Sequence, residues 1–483
     1  MKSDFVGFEK PEDDTPGIQD LEPFIVALDK VGEKVLAEKC LDAFAKTAVN
    51  FFQFENLSKC YFKVKSFDKC MHWSERCLAD CKSNELAAII RKNLTNVYNQ
   101  NNYPEKALPY ILMAEKTKND ATTQMEKAYC YYLLNRKMEA KDILEKILVD
   151  FPELDEQTKV KIKFNLGTYY LYEDKLQKGL RHFMLEGAKM NFWKIESIFS
   201  RNKKLNLDFW EGEPGIKNLV VYAEAGIGDE IINVRFMKHL KDMGINAYWY
   251  TATQEGQKGT NDRPGLTELL VKNNVPVITD LKEVEHLDDK YWTYSMRLPI
   301  YLNCEYKDLW YGSYLKACPD FVKKWELKGK KLKVGVRWRG APHYEQDLHR
   351  SYKLKLLYEA VGDMDAEFHS LQKGDGVEEL EDFPGIIDHS SELNTLEDTM
   401  ALINNLDFII TSCTSVLHMA GSQGKKAYLM VPISAYYPWC HTGDKSPWYG
   451  DNLTLLRQEK PRSWAEPMNK LKLKLKEEGY LND

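Results

Sequence analysis

The stretch NLVVYAEAGIGDEIINVRFMKHLKDMG, residues 218–244, decides the fold of the C-terminal half of the chain. Residues 218–224 form an apolar run that is typical of a buried strand. Residues 230–244 space their apolar side chains as a helix does and end at a glycine. In the turn between them, Gly226 and Gly228 let the chain reverse tightly and let a ligand approach the backbone. Strand, turn and helix together predict one unit of a parallel α/β sheet.

The same alternation continues on both sides of a short connection, WELKGK at residues 325–330. Further strands are predicted at 245–252, 276–280, 331–338, 366–372, 385–388, 407–412 and 426–432, with a helix over 395–406. Two such series predict two Rossmann-like lobes, over residues 215–328 and 330–483. Their facing strand ends would leave a ligand cleft.

The N-terminal half carries a repeat over residues 35–200. Aligned tyrosines lie 37, 33 and 39 residues apart, at Tyr61, Tyr98, Tyr131 and Tyr170. Nine residues after each stands a small residue, namely Cys70, Ala107, Ala140 and Gly179. Closely crossing helices need a small side chain at the crossing, so the spacing predicts an array of helix pairs. A generic helical bundle is the alternative. Such arrays form concave surfaces for a protein partner or for a neighbouring domain.

Composition narrows the class of protein. The net charge of −6 on 483 residues gives no global basic field, so nucleic acid is not an expected partner. None of the ten cysteines forms a C-x-x-C pair, which favours core thiols in a reducing compartment. The extension at residues 1–34 is acidic at its start and lacks the pattern of a signal peptide. No apolar run approaches the roughly 20 residues that span a bilayer, so we expect a cytoplasmic protein.

Two helix starts carry residues suited to a phosphate-bearing ligand. Asp229 stands in the first turn after Gly228, where free amides favour an anion. Thr414 and Ser415 follow the strand at 407–412 and offer hydroxyl and amide donors, and His418 lies one turn later. The alternative is that Asp229, Thr414 and Ser415 are helix caps and that His418 is a packed core histidine.

Three basic residues follow predicted strands. Lys373 lies in the turn SLQKGDG, where its charge would offset a phosphate. Arg337 ends the strand at 331–338, and Arg350 lies in DLHRS at 347–351. Either arginine is suited to phosphate or to an acceptor group. The alternative for all three is an ordinary solvated charge in a loop.

These segments, in this order, resemble the heptosyltransferase-like family 9 glycosyltransferases. More closely, they are similar to domains of that type fused behind tetratricopeptide repeats. The resemblance covers about residues 215–465. It rests on GIGDE (226–230), VGVRWRG (334–340), DLHRS (347–351), SLQK (370–373), LDFII (406–410), TSVLHMAG (414–421) and PWYGD (447–451). The sequence differs from many relatives at Cys413, where they have an aspartate.

The resemblance implies a two-lobed GT-B enzyme that moves a sugar from a nucleoside diphosphate to an acceptor hydroxyl with inversion. Position by position, it implies that Asp229 is the general base. Lys373, Thr414 and Ser415 would stabilise the leaving diphosphate, with Arg337 and His418 as further donor contacts.

The resemblance also assigns the lobes and the partners. It implies an acceptor side at 215–328 and a nucleotide-sugar side at 330–483. Gly226 and Gly228 line the donor site, and Arg350 becomes a candidate acceptor contact. It implies neither a metal nor a cofactor beyond the donor. The acceptor is a glycan, a lipid-linked glycan or a protein.

There are two alternatives to the glycosyltransferase interpretation. The chain is alternatively a non-catalytic scaffold that recruits a protein partner through its repeats and keeps a relict transferase domain. An NAD-linked enzyme fits poorly, because Ile231 stands where the third glycine of G-x-G-x-x-G is expected.

Overall fold

A computed structural model describes residues 21–189, 199, 202–251, 266–342, 344 and 346–482. They form two compact units, which divide between Leu154 and Asp155, with residues 460–462 joining the first unit. Residues 1–20 of the expected N-terminal extension lie outside the described residues. So do residues 191–193, where the helical pattern was expected to fade. Among the described residues, no helix combines the length and the apolar character needed to cross a bilayer.

The first unit is built from antiparallel helix pairs. Its helices are α1 (Leu21–Lys30), α2 (Lys34–Ala45), α3 (Phe51–Lys63), α4 (Phe67–Asp80), α5 (Asn84–Gln100), α6 (Pro104–Thr117), α7 (Ala121–Leu133) and α8 (Lys137–Asp150). The small residues Cys70, Ala107 and Ala140 are fully buried on α4, α6 and α8. The predicted helical repeat is therefore confirmed.

Each repeat turns through the same hydrogen-bonded geometry. The residue four positions after each aligned tyrosine is left-handed, with φ of 57°, 58° and 62° at Lys65, Asn102 and Asn135. The next amide then donates back to the tyrosine carbonyl, for example from Tyr103 to Tyr98 at 2.7 Å. This is a Schellman-type helix end, which satisfies a carbonyl that the helix leaves unpaired. The period of the repeat therefore reflects a fixed turn as well as a helix crossing.

The second unit begins with the last helix pair. The pair comprises α9 (Glu156–Tyr172) and α10 (Leu176–Leu180), which continues as a π-helical segment, Arg181–Glu186, and a turn to Lys189. A Cβ atom on Gly167 would lie 2.8 Å from the carbonyl oxygen of Gly179, so the two helices cross backbone to backbone. Leu171, Leu176, Leu180 and Met184 are buried in one core with Trp210. The pair is thus packed onto the first α/β lobe.

The first lobe holds a fully parallel five-stranded sheet in the order β1-β5-β2-β3-β4. Its strands are β1 (Asp208–Phe209), β2 (Asn218–Tyr222), β3 (Asn246–Tyr250), β4 (Val277–Ile278) and β5 (Lys290–Tyr294). Its helices are α11 (Ile227–Asn233), α12 (Phe236–Asp242), α13 (Leu266–Lys272), α14 (Leu298–Tyr301) and α15 (Pro319–Lys324).

The second lobe holds a seven-stranded sheet in the order β11-β12-β10-β9-β6-β7-β8, in which only β11 is antiparallel. Its strands are β6 (Leu332–Arg337), β7 (Ala366–Ser370), β8 (Ile386–Asp388), β9 (Phe408–Ser412), β10 (Ala427–Val431), β11 (Lys445–Ser446) and β12 (Gly450–Arg457). Its helices are α16 (Asp347–Arg350), α17 (Leu354–Val361), α18 (Leu396–Asn405), α19 (Ser415–Ser422) and α20 (Ala465–Glu477). The predicted fold class, helical repeats followed by two Rossmann-like lobes, is confirmed.

Some elements differ from the expectation. The single helix predicted over 230–244 is two helices, α11 and α12, separated at Val234 and Arg235. The Arg235 side chain turns inward there, and its Nε donates to the Ile232 carbonyl at 2.7 Å. Strands β1, β5, β11 and β12 were not predicted. The expected strand at 245–252 is present over 246–250, and residue 252 lies outside the described residues.

Candidate functional site

The two lobes meet where α11 packs against α19. A Cβ atom on Gly228 would lie only 2.8 Å from Cδ2 of His418, so the glycine leaves room for the histidine ring of the other lobe. The turn that carries Asp229 and the start of α19 therefore lie together where the two lobes meet, which is where the sequence predicts a ligand cleft. This is the arrangement expected of two Rossmann-like lobes whose strand ends face each other.

Asp229 receives hydrogen bonds from both lobes. Its Oδ2 accepts from the Gly226 amide at 2.9 Å, which closes the first turn of α11. Its Oδ1 accepts from the hydroxyl of Tyr436 at 2.6 Å, and Tyr436 lies in the loop after β10. Burial raises the pKa of Tyr436 well above its usual value, so the phenol stays protonated and donates. The carboxylate is half-buried and is held in one orientation.

A second carboxyl group lies close to Asp229 in the chain. Glu224 follows β2, and its Oε1 accepts from the Met296 amide at 3.2 Å. Burial raises the pKa of Glu224 to about 7; the charge of Asp229 adds to the rise, whereas Arg297 opposes it. Glu224 is thus a half-buried group that titrates near neutral pH. The sequence did not single it out as a site residue.

Two arginines converge on the other wall. Arg337, at the end of β6, donates to the Leu371 carbonyl at 2.8 Å. Arg350 donates from Nε to Asp347 at 3.0 Å and from Nη1 to the Cys413 carbonyl at 2.8 Å. Burial and the charge of Arg350 lower the pKa of Arg337 to about 10, while the charge of Asp347 opposes the shift. A site with two guanidinium groups is prepared for an anion.

The start of α19 borders this arginine pair. Thr414 caps the helix with its backbone, but its buried hydroxyl oxygen has no hydrogen-bond partner among the residues that the structure describes. Ser415 is half-buried and is the first helical residue. Arg350 binds the carbonyl of the residue before Thr414, so its guanidinium group lies beside the helix start. Cys413 accepts a hydrogen bond from Trp439 Nε1 at 3.1 Å.

His418 and Lys373 are placed differently from these groups. His418 is buried, pairs through Nδ1 with the Tyr449 hydroxyl at 2.8 Å and stacks on Trp439 with ring centroids 5.6 Å apart. Burial lowers its pKa to about 3, so the ring is neutral; this favours the packed-histidine alternative. The exposed Lys373 donates to the Leu393 carbonyl, in the loop after β8. Arg350 instead reaches the Cys413 carbonyl beside Thr414, and Arg337 donates to the Leu371 carbonyl after β7.

A buried arginine ties the two lobes together below the cleft. Arg235, which is 1% exposed, donates to the Trp448 carbonyl of the second lobe and to the Leu309 carbonyl at 2.5 Å. It also donates to the Tyr314 hydroxyl at 3.0 Å. The PWYGD motif gave a signal for Trp448, but nothing in the sequence pointed to Arg235, Glu224 or Tyr436.

Comparison with known proteins shows a similarity of fold to solved structures. No family profile and no curated protein matches the sequence. Among solved structures, a family 9 glycosyl transferase of Veillonella parvula is 12% identical over 55% of this chain and 90% of its own, with a TM-score of 0.33. The Escherichia coli heptosyltransferase WaaC with ADP is 12% identical over 54% of this chain and 99% of its own, with a TM-score of 0.32.

The N-terminal part has neighbours of its own. A kinesin light chain from Podospora anserina with nearly identical TPR-like repeats is 14% identical over 35% of this chain and 93% of its own, with a TM-score of 0.31. The chain is thus similar to repeat proteins in its N-terminal part and to heptosyltransferases in its C-terminal part. The case for an activity rests on the residues of the cleft.

Proposed function

We propose that this chain is a glycosyltransferase that moves a sugar from a nucleoside-diphosphate donor to an acceptor hydroxyl. One observation carries the proposal. Where the two lobes meet, the oriented carboxylate of Asp229 lies in the first lobe and Arg350 lies beside the start of α19 in the second. Group transfer from a diphosphate needs a base near the acceptor and positive charge near the leaving group. The order of motifs in the sequence supports the same reaction.

In the proposed reaction, Asp229 accepts the proton of the acceptor hydroxyl while the acceptor oxygen attacks the anomeric carbon. The bond between that carbon and the diphosphate oxygen breaks on the opposite face, and its electron pair leaves with the diphosphate. Attack opposite to the leaving group inverts the configuration of the sugar. The proton, the sugar and the leaving group are all accounted for by this single displacement.

The second lobe would hold the diphosphate. Arg337 and Arg350 match phosphate oxygens with paired N–H groups, and the Thr414 hydroxyl and the first amides of α19 supply further donors. These groups provide positive charge without a metal ion. We therefore assign Arg350 to the donor rather than to the acceptor. Lys373 and Ser415 stay predicted donor contacts, and His418 would act indirectly by fixing α19 against α11.

The remaining assignments follow from this reaction. Residues 215–328 would form the acceptor side, and residues 330–483 the nucleotide-sugar side. The helical repeats at 35–200 would recruit a protein partner or the acceptor, which is a glycan, a lipid-linked glycan or a protein. All ten cysteines are free thiols, which fits a cytoplasmic location.

Binding of the donor is tested by thermal shift with a panel of nucleoside diphosphates. A ligand at 100 times its Kd stabilises the protein by about 2.7 kcal/mol. We expect Arg337→Gln and Arg350→Gln to abolish the shift. Arg76→Gln, at an exposed arginine of the first unit, serves as the matched control and keeps it. Absence of a shift with every nucleotide would favour the scaffold alternative.

The role of Asp229 is tested by a donor screen that measures transfer or hydrolysis. Asp229→Ala is expected to lower transfer by about 10²–10⁴-fold, the usual contribution of a general base, while nucleotide binding persists. Asp242→Ala removes an exposed aspartate of the same lobe and should leave transfer unchanged. Transfer that survives Asp229→Ala would show that another group is the base.

A further inference from the structure

Tyr436 reaches the carboxylate of Asp229 from the opposite lobe. Its hydroxyl lies 2.6 Å from Oδ1, while the amide of Gly226, on the carboxylate's own turn, holds Oδ2 at 2.9 Å. With one donor on each oxygen, the plane of the carboxylate is fixed relative to both lobes. Such control of orientation matters for a group that must meet one particular proton.

The phenol of Tyr436 is itself held by aromatic packing. Its ring lies 4.7 Å from the ring of Tyr437 and 6.3 Å from that of Phe183, measured between centroids, in edge-to-face geometry. Phe183 belongs to the π-helical segment of the last helix pair and stacks on Phe164 at 4.8 Å. The last helix pair therefore supports the tyrosine that contacts Asp229.

The titratable groups whose pKa is raised by burial and by the charge of Asp229 include residues from three places. Glu224 lies just after β2, Cys413 at the end of β9, and Tyr436 and Tyr437 in the loop after β10. Of these, the hydroxyl of Tyr436 donates directly to the carboxylate. A hydrogen bond to a carboxylate favours its charged form, which is the form that can take up a proton.

We propose that Tyr436 is the positioning residue of the general base: it orients Asp229, favours its ionised form and makes the base competent only while the two lobes keep this arrangement. The inference rests on the proposed transferase function. It adds a residue that acts through Asp229. It also gives the last helix pair, through Phe183, a direct mechanical influence on the reaction centre.

The test is Tyr436→Phe, which removes one oxygen and keeps the ring. We expect kcat to fall about 10- to 100-fold, the range for loss of a hydrogen bond to a charged group, with the KM for the donor within about twofold of the original. The acid limb of the pH–rate profile should move to higher pH by about one unit, because the base loses a partner of its charged form.

The matched control is Tyr428→Phe. Tyr428 also donates its hydroxyl to a carboxylate, that of Glu478, and lies on β10 of the same lobe. We expect this variant to keep both kcat and the pH–rate profile. If Tyr428→Phe lowers kcat and moves the acid limb to the same degree, general destabilisation explains both variants and the proposal fails.

A second measurement decides the question independently of turnover. The infrared band of the Asp229 carboxylate, identified by difference from Asp229→Asn, is titrated in the original protein and in Tyr436→Phe. We expect the carboxylate to persist to lower pH in the original protein. Coincident titrations would overturn the inference even if the enzyme is active. A different result would be two titration curves that differ between the original protein and Tyr436→Phe in a protein that binds no nucleotide. That result would refute the transferase function and leave the coupling of Tyr436 to Asp229 established.

Discussion

The carboxyl groups of Glu224 and Asp229, which lie close together in the chain after β2, have different surroundings. Asp229 accepts two hydrogen bonds, one of them from a phenol of the other lobe. Glu224 accepts one backbone amide, and burial raises its pKa to about 7. Neighbouring carboxyl groups in unlike environments are suited to different tasks in one reaction. Glu224 is thus a group whose protonation state changes near neutral pH, beside the proposed base.

The raised pKa of Glu224 makes stability depend on pH. A carboxyl group with a pKa of 4.5 when unfolded and about 7 when folded binds more protons in the folded state. Between these values, stability therefore falls as the pH rises. Glutamine at position 224 does not titrate. The melting temperature of Glu224→Gln should therefore rise relative to that of the original protein as the pH increases from 5 to 8.

The control is Glu285→Gln, at an exposed carboxyl of the same lobe. Its melting temperature should follow that of the original protein at both pH values. Parallel melting curves for Glu224→Gln and the original protein from pH 5 to pH 8 would show that Glu224 keeps an ordinary pKa. Melting is followed by circular dichroism, which requires neither donor nor acceptor.

At the residue scale, the sequence predicted the groups that sit directly at strand ends. Asp229, Arg337 and Thr414 follow apolar runs, and parallel strands bring such positions to one edge. Tyr436 lies in an irregular loop without any period, so no pattern could place it. The sequence could not decide between a ligand contact and a packed core histidine for His418 either, because helical spacing does not tell which face of α19 meets the other lobe.

At the scale of elements, the crossing of α11 and α19 depends on one missing side chain. Gly228→Ala would place a methyl group 2.8 Å from Cδ2 of His418, whose ring is fixed between Tyr449 and Trp439. Alanine normally favours a helix over glycine by about 1 kcal/mol. Overpacking costs about 1–3 kcal/mol, so we expect a net loss of stability in urea unfolding and weaker nucleotide binding.

Gly385→Ala is the matched control, because a Cβ there meets no atom closer than 3.9 Å. It should change the free energy of unfolding by no more than about 0.5 kcal/mol. His418→Ala combined with Gly228→Ala should recover part of the loss, since the two sites are in contact. Additive effects of the two substitutions would show that the helices do not meet at Gly228.

The strand predictions were correct where a strand is buried on both faces of a parallel sheet and is therefore continuously apolar in sequence. Strand β9, FIITS, is buried along its whole length. Strand β5, KYWTY, and strand β12, GDNLTLLR, mix polar and apolar residues, so their runs are interrupted. The repeat helices were found from the spacing of tyrosines, although the left-handed turn after each tyrosine was invisible as a pattern. Lys, Asn and Asp all occupy it, at Lys65, Asn102, Asn135 and Asp174.

At the scale of the molecule, the last helix pair shares one compact unit with the two Rossmann-like lobes. The sequence predicts repeats over residues 35–200 and a first lobe over residues 215–328. In the structure, the last helix pair belongs to the second unit, which begins at Asp155. Gln177 donates to the carbonyls of Pro299 and Cys304, each at 2.8 Å, and Asp174 accepts from the Thr442 hydroxyl at 2.6 Å. Composition reveals a change of fold class, but not which elements share a core.

Truncation tests where the folding unit begins. A chain that starts at Asp155 keeps the last helix pair, whereas one that starts at Asn202 exposes the surface that Leu171, Leu176, Leu180 and Met184 cover. Burial of each such side chain is worth about 1.5–3 kcal/mol, so their joint loss rivals the whole stability of about 5–15 kcal/mol that a domain has. We expect residues 155–483 to unfold cooperatively in urea and to bind nucleoside diphosphate as the full chain does. We expect residues 202–483 to show neither property. Equal stability of the two truncated chains would mean that the last pair is an independent repeat, and Phe183 could then have no necessary part in holding Tyr436 against Asp229.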